Sequence, residues 1–472
     1  MTDAEVAHRA AVDAVRDGLA ALPADAPVRL RKKTSNLFRF RGGAGGLTVE
    51  GLDRVLAVDP VARTADVAGM TTYEDLVAAT LPHGLMPLVV PQLKTITLGG
   101  AVVGLGIESS SFRDGLPHES VLEADVLTGT GEILSTRAVT PGSAGSAGGE
   151  HPDLLAGLPN SYGTLGYALR LRIELAPVAP FVRLRHVRFD TAEEITQALA
   201  EVAKTHEWAG ERVDFCDGVV FSAREHYMTV GEMVDTAPYL SNYTGQQIYY
   251  RSIQQRQVDF LTIHDYLWRW DTDWFWCSRA LGVQQPVVRR LWPARYRRSD
   301  VYRRIVALDR RVGLSQVLAR REGHAGTEPI IQDVEVPVDR LPEFLAFFHD
   351  EIGISPVWLC PLQARRTQRS GAAQTPDRRS WPLYPLDPDT TYVNVGFWSD
   401  APLSPGMAPD HHNRRIEQVL MGLDGHKSLY STSSYTPDEF DALYGGTTYR
   451  ELKARYDPDG RLPDLYTKTV TG

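Results

Sequence analysis

The sequence predicts an α+β chain of two domains, and three observations lead to that prediction. Residues 27–175 alternate short strand-like and helix-like patterns with turns, as a single domain would. Prolines in the APVAPF stretch, near 176–183, interrupt the pattern and suit a domain boundary. Two later segments, 184–210 and 330–354, each read as a strand followed by a helix, which favours an antiparallel sheet covered by helices.

Composition narrows the class of protein. The chain has 472 residues, of which 43% are hydrophobic and 23% charged, so it can bury a sizeable core. Its net charge of −9 argues against nucleic acid as a partner. The three cysteines, Cys216, Cys277 and Cys360, are too few and too widely spaced to suggest a disulfide framework or a metal site, which fits a reducing cytoplasm.

The amino-terminal segment predicts an amphipathic helix over residues 1–22. It has acids near its start and lacks the unbroken apolar core of a signal peptide. No apolar run reaches the roughly 18 residues that a membrane-spanning helix needs. We therefore expect a cytoplasmic protein. If it binds a membrane, we expect it to do so as a peripheral protein on the inner face.

A glycine-rich stretch between Pro91 and Leu134 is the most informative part of the chain. Gly99, Gly100, Gly104 and Gly106 fall within eight residues, and three serines follow at 109–111. Glycines let backbone N–H groups approach a ligand closely, and successive N–H groups can cradle a diphosphate. No helix of the right period follows Gly106, so the order differs from the dinucleotide fingerprint G-x-G-x-x-G.

This stretch resembles instead the diphosphate-binding segment of the vanillyl-alcohol-oxidase type of FAD-binding domain. The NSYGTLG sequence at 160–166 resembles the turn that lies under the flavin in that family. LRKKTSN at 30–36 is similar to its first pyrophosphate loop, and ARYDPDGRLPDLY at 454–466 to its closing motif. The resemblance implies FAD as cofactor and a two-subdomain FAD-binding domain, followed by an α+β substrate (cap) domain with an antiparallel sheet.

Domain limits and cofactor contacts follow from the resemblance. It implies an FAD-binding domain at 1–178, a substrate domain at 179–425 and a segment at 426–472 that returns to the FAD-binding domain. The residues that it implies for cofactor binding are Thr34, Ser35, Asn36, Thr97, Leu98, Gly99, Gly100, Gly104, Gly106, Ser109, Ser110, Asn160, Gly163, Thr164, Gly166 and Lys427. Residues 28–46 contain neither His nor Cys, so we expect FAD to bind without a covalent link.

Two reductase families share further motifs with the chain. KTITLGG, GLGIESSSF and GTLG resemble the Δ24-sterol reductases, which reduce an isolated carbon–carbon double bond with NADPH. LTIHDYLWRWDTDWFWCSR, WPLYPL, YVNVGFWS and LDGHKSLYS are similar to the bacterial reductases that complete 10-methylstearate (tuberculostearate) synthesis. That resemblance implies NADPH as electron donor, a 10-methylene acyl chain of a phospholipid or fatty acid as substrate, and a lipid methyltransferase as a candidate partner.

The segment 261–311 combines aromatic and basic residues. Six aromatic side chains lie within eleven residues, namely Tyr266, Trp268, Trp270, Trp274, Phe275 and Trp276, and nine arginines follow between 289 and 311. One interpretation is a patch that binds an anionic membrane surface, since Trp favours the interface and Arg the lipid headgroups. The alternative is a solvated helical face next to core aromatics.

Reduction of an unactivated alkene needs an acid and a dry cavity. We expect protonation of the terminal methylene carbon, and then hydride transfer from flavin N5 to the resulting cation, with water excluded. His264, Asp273 and Tyr250 are the candidates for the catalytic groups because they lie near the aromatic cluster in sequence. Each also has a structural interpretation: a core histidine, a helix cap or partner of an arginine, and a packing tyrosine.

Four functions remain open at this point. They are NADPH-dependent reduction of a methylene-branched acyl chain, reduction of a sterol or isoprenoid side-chain alkene, FAD-dependent oxidation of an alcohol or sugar, and a non-enzymatic flavin-binding subunit. The Trp- and Arg-rich middle of the chain favours lipid over sugar. The sequence carries no separate fingerprint for NADPH, so NADPH would use the same face of the flavin as the lipid.

Overall fold

A computed structural model describes residues 3–23, 26, 28–32, 46–138, 150–312, 326–367, 375–376 and 381–471. It has the predicted α+β architecture, which is thereby confirmed. The predicted first pyrophosphate loop, including Thr34, Ser35 and Asn36, lies outside the described residues. No helix in the described part of the chain is both long and apolar enough to cross a membrane.

The first sheet is antiparallel and contains six strands. In spatial order its main path consists of Val55–Asp59, Thr64–Ala68, Tyr167–Pro177, Val121–Leu127 and Ile133–Arg137, and Leu85–Pro87 pairs with the far end of Tyr167–Pro177. The central strand alternates buried and partly exposed residues, as a sheet with one covered face requires. Beside this sheet, the short strands Leu30–Arg31 and Leu47–Thr48 pair in parallel.

The second sheet is antiparallel and contains eight strands. Their spatial order is Val258–Thr262, Phe181–Phe189, Glu225–Val234, Phe215–Ser222, Val357–Leu362, Tyr392–Leu403, Gly326–Pro337 and His426–Lys427. The last strand extends this sheet two residues past the predicted limit at 425. Two further hairpins are small: Glu207–Trp208 with Glu211–Arg212, and Arg366–Thr367 with Thr375–Pro376.

The α-helices surround the two sheets. Their bounds are Asp3–Ala20, Tyr73–Thr80, Leu98–Gly104, Ser111–Asp114, Pro152–Gly157, Ala192–Thr205, Tyr249–Ser252, Ile263–Leu267, Pro286–Leu291, Ser299–Val312, Leu341–Phe347, His411–Gly422, Pro437–Leu443 and Gly446–Tyr456. The predicted helix of the segment 184–210 begins with a capping box, in which Thr191 and Glu194 bond to each other's backbone N–H.

The carboxy-terminal segment returns to the first sheet. The ammonium of Lys453 donates to the carbonyl of Thr164 at 2.8 Å, and the backbone N–H of Gly129 donates to the carbonyl of Tyr456 at 3.0 Å. The three cysteines are unpaired, and Cys216 and Cys360 are buried in the second sheet. The largest core cluster spans both sheets, so the two parts of the chain are packed together.

Candidate functional site

A cavity of about 1150 Å³, including its solvent-open part, lies between the glycine-rich stretch and the second sheet. The residues that line it are Lys32, Pro91, Gln92, Leu93, Thr95, Ile96, Thr97, Gly100, Val103, Gly104, Leu105, Gly106, Ile107, Tyr162, Trp274, Phe275, Asp333, Trp358, Trp398, Ser428 and Tyr430. We call its two sides the glycine wall, residues 91–107, and the aromatic wall, formed by Trp274, Phe275, Trp358 and Trp398.

Backbone forms much of the glycine wall. The Thr97 hydroxyl accepts a hydrogen bond from the N–H of Gly100 at 3.1 Å and so begins the helix Leu98–Gly104. Gly99 packs against the first sheet so closely that a Cβ would lie 2.6 Å from the carbonyl oxygen of Gly69. Since Gly99 is locked to the sheet, Gly100 and Gly104 present backbone to the cavity.

The turn around Tyr162 supports the glycine wall from behind. The backbone N–H of Tyr162 donates to the carbonyl of Val103 at 2.8 Å, and its phenol donates to the carbonyl of Gly104 at 2.9 Å. Gly163 and Gly166 have φ angles of +76° and +156°. A Cβ at Gly166 would meet Val126 at 2.5 Å, so only glycine fits in this turn.

Side chains form the aromatic wall. The rings of Phe275 and Trp398 stack with centroids 4.1 Å apart, and the ring of Trp358 meets Phe275 edge-on at 5.7 Å. Trp274 and Phe275 have φ angles of +46° and +60°, a conformation that bulky residues rarely adopt. Such strain costs about 1–3 kcal/mol per residue and persists only where the surrounding packing imposes it.

A buried ionic cluster ties the aromatic segment to both domains. The Arg269 guanidinium donates to Asp217 at 2.7 Å and to Glu108 at 3.3 Å, and Trp270 and Trp358 donate to the same Asp217 oxygen. Glu108 follows the glycine wall directly, whereas Asp217 belongs to the second sheet. The cluster therefore holds the two walls at a set separation.

The Asp333 carboxyl and the Tyr430 phenol line the cavity together, and we call them the acidic pair. The Asp333 carboxyl accepts a hydrogen bond from the Asn394 amide at 3.1 Å and another from the Tyr430 phenol. Trp398 in turn donates its indole N–H to the Tyr430 oxygen at 3.1 Å. Burial raises the pKa of Asp333 to about 6, because a charged carboxylate is poorly solvated there, and burial also raises the pKa of Tyr430.

Gly396 makes room for this pair. It lies opposite Asp333 in the strand register. A Cβ there would come within 2.5 Å of the Asp333 carboxyl oxygen and 2.7 Å of the Trp398 ring. The absence of a side chain at 396 is thus what allows the carboxyl and the indole to lie next to each other.

Comparison with known proteins gives the cofactor. Residues 8–137 match a family model described as FAD binding domain. The N-terminal region of this chain is an FAD-binding domain. That domain contains the glycine wall and most of the first sheet.

Three relatives extend the comparison beyond the FAD-binding domain. A Delta(24)-sterol reductase homolog of Caenorhabditis elegans is 23% identical over 91% of this chain and 80% of its own length. The Delta(24)-sterol reductase of Homo sapiens is 23% identical over 89% and 75%. Cytokinin dehydrogenase 2 of Oryza sativa subsp. japonica is 33% identical, but over only 35% of this chain and 26% of its own length. These matches place the chain among FAD-dependent oxidoreductases.

The residues of the cavity fit such a cofactor. The side-chain nitrogen of Gln92 is buried at the glycine wall and has no hydrogen-bond partner among the described residues, so it can donate to a carbonyl of a bound ring. Backbone at Gly100 and Gly104 allows close approach, and Lys32 adds a positive charge suited to a diphosphate. The aromatic wall is left free to border a second molecule.

The predicted cofactor residues fall into two groups. Thr97, Gly100, Gly104 and Gly106 line the cavity. The others that the structure describes lie outside its lining and build its frame: Leu98, Gly99, Ser109, Ser110, Asn160, Gly163, Thr164, Gly166 and Lys427.

Four of these frame residues have specific structural partners. The Ser109 hydroxyl is hydrogen-bonded to the Tyr266 phenol at 2.7 Å, and that of Ser110 donates to the carbonyl of Leu88 at 2.8 Å. The Asn160 amide donates to the carbonyl of Leu383 at 2.8 Å, and the Thr164 hydroxyl to that of Ser161, also at 2.8 Å. These side chains connect segments around the cavity.

Lys427 requires a correction of the expected cofactor contact. Its ammonium is fully buried and forms an ion pair with Glu417 at 2.7 Å, away from the cavity lining. The neighbouring His426 is half-buried, and loss of solvation lowers its pKa to about 4. The next residue, Ser428, is the one that lines the cavity.

The three residues predicted to be catalytic also need correction. The side chain of His264 is 57% exposed and bonds to Asp265, so it cannot protonate a substrate in a dry cavity. The Asp273 carboxyl accepts hydrogen bonds from both terminal nitrogens of Arg289, at 2.6 and 3.0 Å, and does not line the cavity. The Tyr250 phenol donates to Gln284 at 2.8 Å, and Tyr250 does not line the cavity.

The acidic pair was missed because it is distant in sequence from the aromatic cluster. Asp333 interrupts the apolar run IIQDVEV, and a carboxylate on a buried strand is a signal of function. Trp398 and Tyr430 lie within the motifs YVNVGFWS and LDGHKSLYS, and in the second motif Lys427 was the residue expected to contact the cofactor.

Proposed function

We propose that this protein is an FAD-dependent reductase that saturates an isolated methylene double bond in a lipid acyl chain, converting a 10-methylene to a 10-methyl stearoyl group with NADPH as donor. The observation that carries the proposal is a protonatable carboxyl, Asp333, facing an aromatic and aliphatic cavity across from the glycine wall. Full-length similarity to Delta(24)-sterol reductases supports a reductase, and the motifs of the aromatic segment support the acyl substrate.

Asp333 is the proton donor in this proposal. Its O–H bond breaks as a C–H bond forms at the terminal methylene carbon, which leaves a tertiary cation at the branch carbon. Tyr430 hydrogen-bonds to the Asp333 carboxyl and orients it. Trp398 and Phe275 exclude water and present their ring faces to the developing positive charge.

FAD, when bound in its reduced form, supplies the hydride that completes the saturation. On the protein side, Gly100, Gly104 and Thr97 would border it, and the Gln92 amide would donate a hydrogen bond to it. We propose that it is held without a covalent link, so that acid precipitation should release the yellow flavin into the supernatant. Yellow colour retained in the pellet would contradict this.

Isotope labelling of the product tests the reaction. The purified protein, reduced by NADPH under anaerobic conditions, is mixed with a phospholipid made by a methyltransferase that produces 10-methylene chains. In D₂O we expect one solvent deuteron in the new methyl group, and with 4-deuterated NADPH we expect deuterium on the branch carbon. A solvent deuteron on the branch carbon together with the NADPH deuterium in the methyl group would reverse the polarity and refute protonation by Asp333.

A sterol side-chain alkene is the second candidate substrate. The similarity to Delta(24)-sterol reductases over most of both chains is the observation in its favour. Parallel assays should decide between them: we expect the reduced protein to be reoxidised at least tenfold faster by the methylene lipid than by a sterol with a Δ24 double bond. The opposite ratio would assign the sterol class.

The basic segment provides a surface suited to anionic membranes. The tryptophans at 268, 270, 274 and 276 are buried, so the aromatic cluster itself does not contact lipid headgroups. The exposed apolar residues lie further on: Val287 and Leu291 are 71% and 77% exposed on one face of the helix Pro286–Leu291. Arg290, beside them, is exposed as well.

Buried arginines anchor this helix to the protein. Arg289 is engaged by Asp273, and Arg297 donates to the carbonyls of Thr244 and Gly245 at 2.7 and 2.9 Å. Arg295 is exposed and lies over the ring of Tyr296. We propose that Val287 and Leu291 insert into the membrane while Arg290 and Arg295 contact anionic headgroups, each contributing about 1 kcal/mol.

Vesicle co-sedimentation tests this surface. Val287→Asp with Leu291→Asp should release the protein from vesicles that contain anionic lipid, and added salt should weaken wild-type binding by screening. Val61→Asp is the matched control, because Val61 is 93% exposed but belongs to the first domain. Unchanged binding of the double variant would contradict the proposal.

A further inference from the structure

Each turnover of the proposed reaction consumes a proton from the cavity wall, and the structure contains a second buried carboxyl next to the donor. Glu335 lies two residues after Asp333 on the same strand, Gly326–Pro337, and is fully buried. It does not line the cavity. The reaction described above does not use it.

Glu335 is connected to the cavity through a serine. The Ser428 hydroxyl donates to Glu335 Oε1 at 3.0 Å, and Ser428 lines the cavity that Asp333 faces. The backbone of Ser428 also donates to the carbonyl of Asp333 at 3.0 Å, which fixes the position of the serine beside the donor. One side of Glu335 thus leads, through Ser428, to the cavity that Asp333 also lines.

The other side of Glu335 leads to a second cavity. The Tyr384 phenol faces Glu335, and neither this phenol nor Glu335 Oε2 has another hydrogen-bond partner among the described residues. Tyr384 in turn lines a cavity of about 380 Å³, which includes its solvent-open part. Polar residues of that cavity include His118, Glu119 and Gln363.

The surroundings of Glu335 keep it in its neutral form. Burial and the nearby Asp333 carboxyl raise the pKa of Glu335 well above its ordinary value, and they outweigh the opposite effect of the hydrogen bonds from Tyr384 and Ser428. On the neighbouring strands it lies opposite Asn394 and His426, and His426 is itself neutral by burial. The ammonium of Lys427 is paired with Glu417 instead.

We propose that Tyr384, Glu335 and Ser428 form a proton relay that carries protons from the second cavity to Asp333. This inference rests on the proposed function, since it supplies the proton which that reaction consumes. After Asp333 has given its proton to the substrate, the Ser428 hydroxyl passes a proton to the Asp333 carboxylate and regains one from Glu335. Glu335 then takes the Tyr384 proton, and the phenol recovers one from solvent in the second cavity.

Infrared spectroscopy of the protein without cofactor tests the resting state of the relay. We expect a carbonyl band of a protonated carboxylic acid that disappears in Glu335→Gln and shifts on transfer to D₂O. In Tyr384→Phe the band should remain, but the shift in D₂O should slow at least tenfold. Tyr302→Phe is the matched control, because Tyr302 is buried and its hydroxyl has no hydrogen-bond partner among the described residues. Absence of the band from the wild type would overturn the proposal.

Rapid-mixing kinetics of the loaded protein test the function of the relay. In Glu335→Gln the first turnover should proceed at the wild-type rate, since Asp333 starts protonated at about pH 5, below its pKa of about 6. Later turnovers should slow at least tenfold, while flavin reduction by NADPH stays within twofold. Later turnovers of Glu335→Gln at the same rate as the first would overturn the relay.

The two proposals fail in different ways. A wild-type protein that does not reduce the methylene lipid refutes the function, and the infrared result then still reports on Glu335. A protein that reduces the lipid but shows equal first and later turnovers in Glu335→Gln refutes the relay alone. A lower melting temperature of the variant with unchanged kinetics would also refute it, because it assigns Glu335 a structural role.

Discussion

The two walls of the cavity are built in different ways. The glycine wall presents backbone, with Gly100 and Gly104 held in place by contacts to the first sheet and to Tyr162. The aromatic wall presents side chains from segments far apart in sequence, including Phe275 and Trp398. Backbone geometry suits a constant ligand such as a cofactor, whereas side chains can be exchanged to suit a substrate. In the proposed function, FAD lies against the glycine wall and the alkene against the aromatic wall.

The largest expected effect comes from placing a side chain on the glycine wall. Gly100→Asp should abolish FAD binding, because its Cβ would lie 2.8 Å from the Thr97 hydroxyl and its carboxylate would repel the diphosphate. Absorbance of the purified variant should show no flavin. Gly422→Asp is the control, since nothing lies within 4 Å of a Cβ at that position. Retention of stoichiometric FAD in Gly100→Asp would show that FAD does not bind at the glycine wall.

A change on the aromatic side should affect chemistry but spare FAD. Asp333→Asn cannot donate the proton, so the rate of alkene reduction should fall about 10²–10⁴-fold, the usual contribution of general acid catalysis. Stopped-flow absorbance should show flavin reduction by NADPH within twofold of wild type. Should the NADPH step slow instead, Asp333 would serve the nicotinamide and the assignment of the walls would change.

The pH dependence of the wild type sharpens the same assignment. Since Asp333 acts in its protonated form, the rate of alkene reduction should fall as pH rises through about 6, its raised pKa. In Asp333→Asn the fall in rate as pH rises through about 6 should be absent. A rate that rises through the same range would show that the carboxylate is the active form.

The smallest expected effect is on stability. Because burial raises the pKa of Asp333, its neutral form stabilises the fold below about pH 4, and this contribution is lost as pH rises through about 6. The free energy of unfolding of Asp333→Asn minus that of the wild type should therefore increase by on the order of 2 kcal/mol between about pH 4 and pH 8. Urea denaturation at the two pH values measures it. An equal difference at both would contradict a buried, titrating carboxyl.

The glycine wall could be predicted from sequence because it is local. Gly99, Gly100 and Gly104 lie within six residues, and their lack of side chains is the property that the structure uses. The aromatic residues Trp274 and Phe275 were likewise recognised as members of one aromatic cluster. In both cases neighbours in sequence remain neighbours in space.

The proposed proton donor, Asp333, could not be predicted in this way. His264 and Asp273 were chosen because they are close to the tryptophans along the chain, but one side chain points to solvent and the other to Arg289. The groups that meet the cavity, Asp333 and Tyr430, are brought there by strand pairing with residues about sixty positions away or more. Pairing register of that kind is a tertiary property, which local patterns do not report.

Gly396 has a consequence for how such a site can change over time. One missing methyl group lets the Asp333 carboxyl and the Trp398 indole share a space, and Ala at 396 would push one of them toward the cavity. The residue at position 396 therefore limits how much room the Asp333 carboxyl and the Trp398 indole leave in the cavity. Under the proposed function, Ala at 396 should therefore narrow the space for substrate at the aromatic wall and leave the glycine wall unchanged.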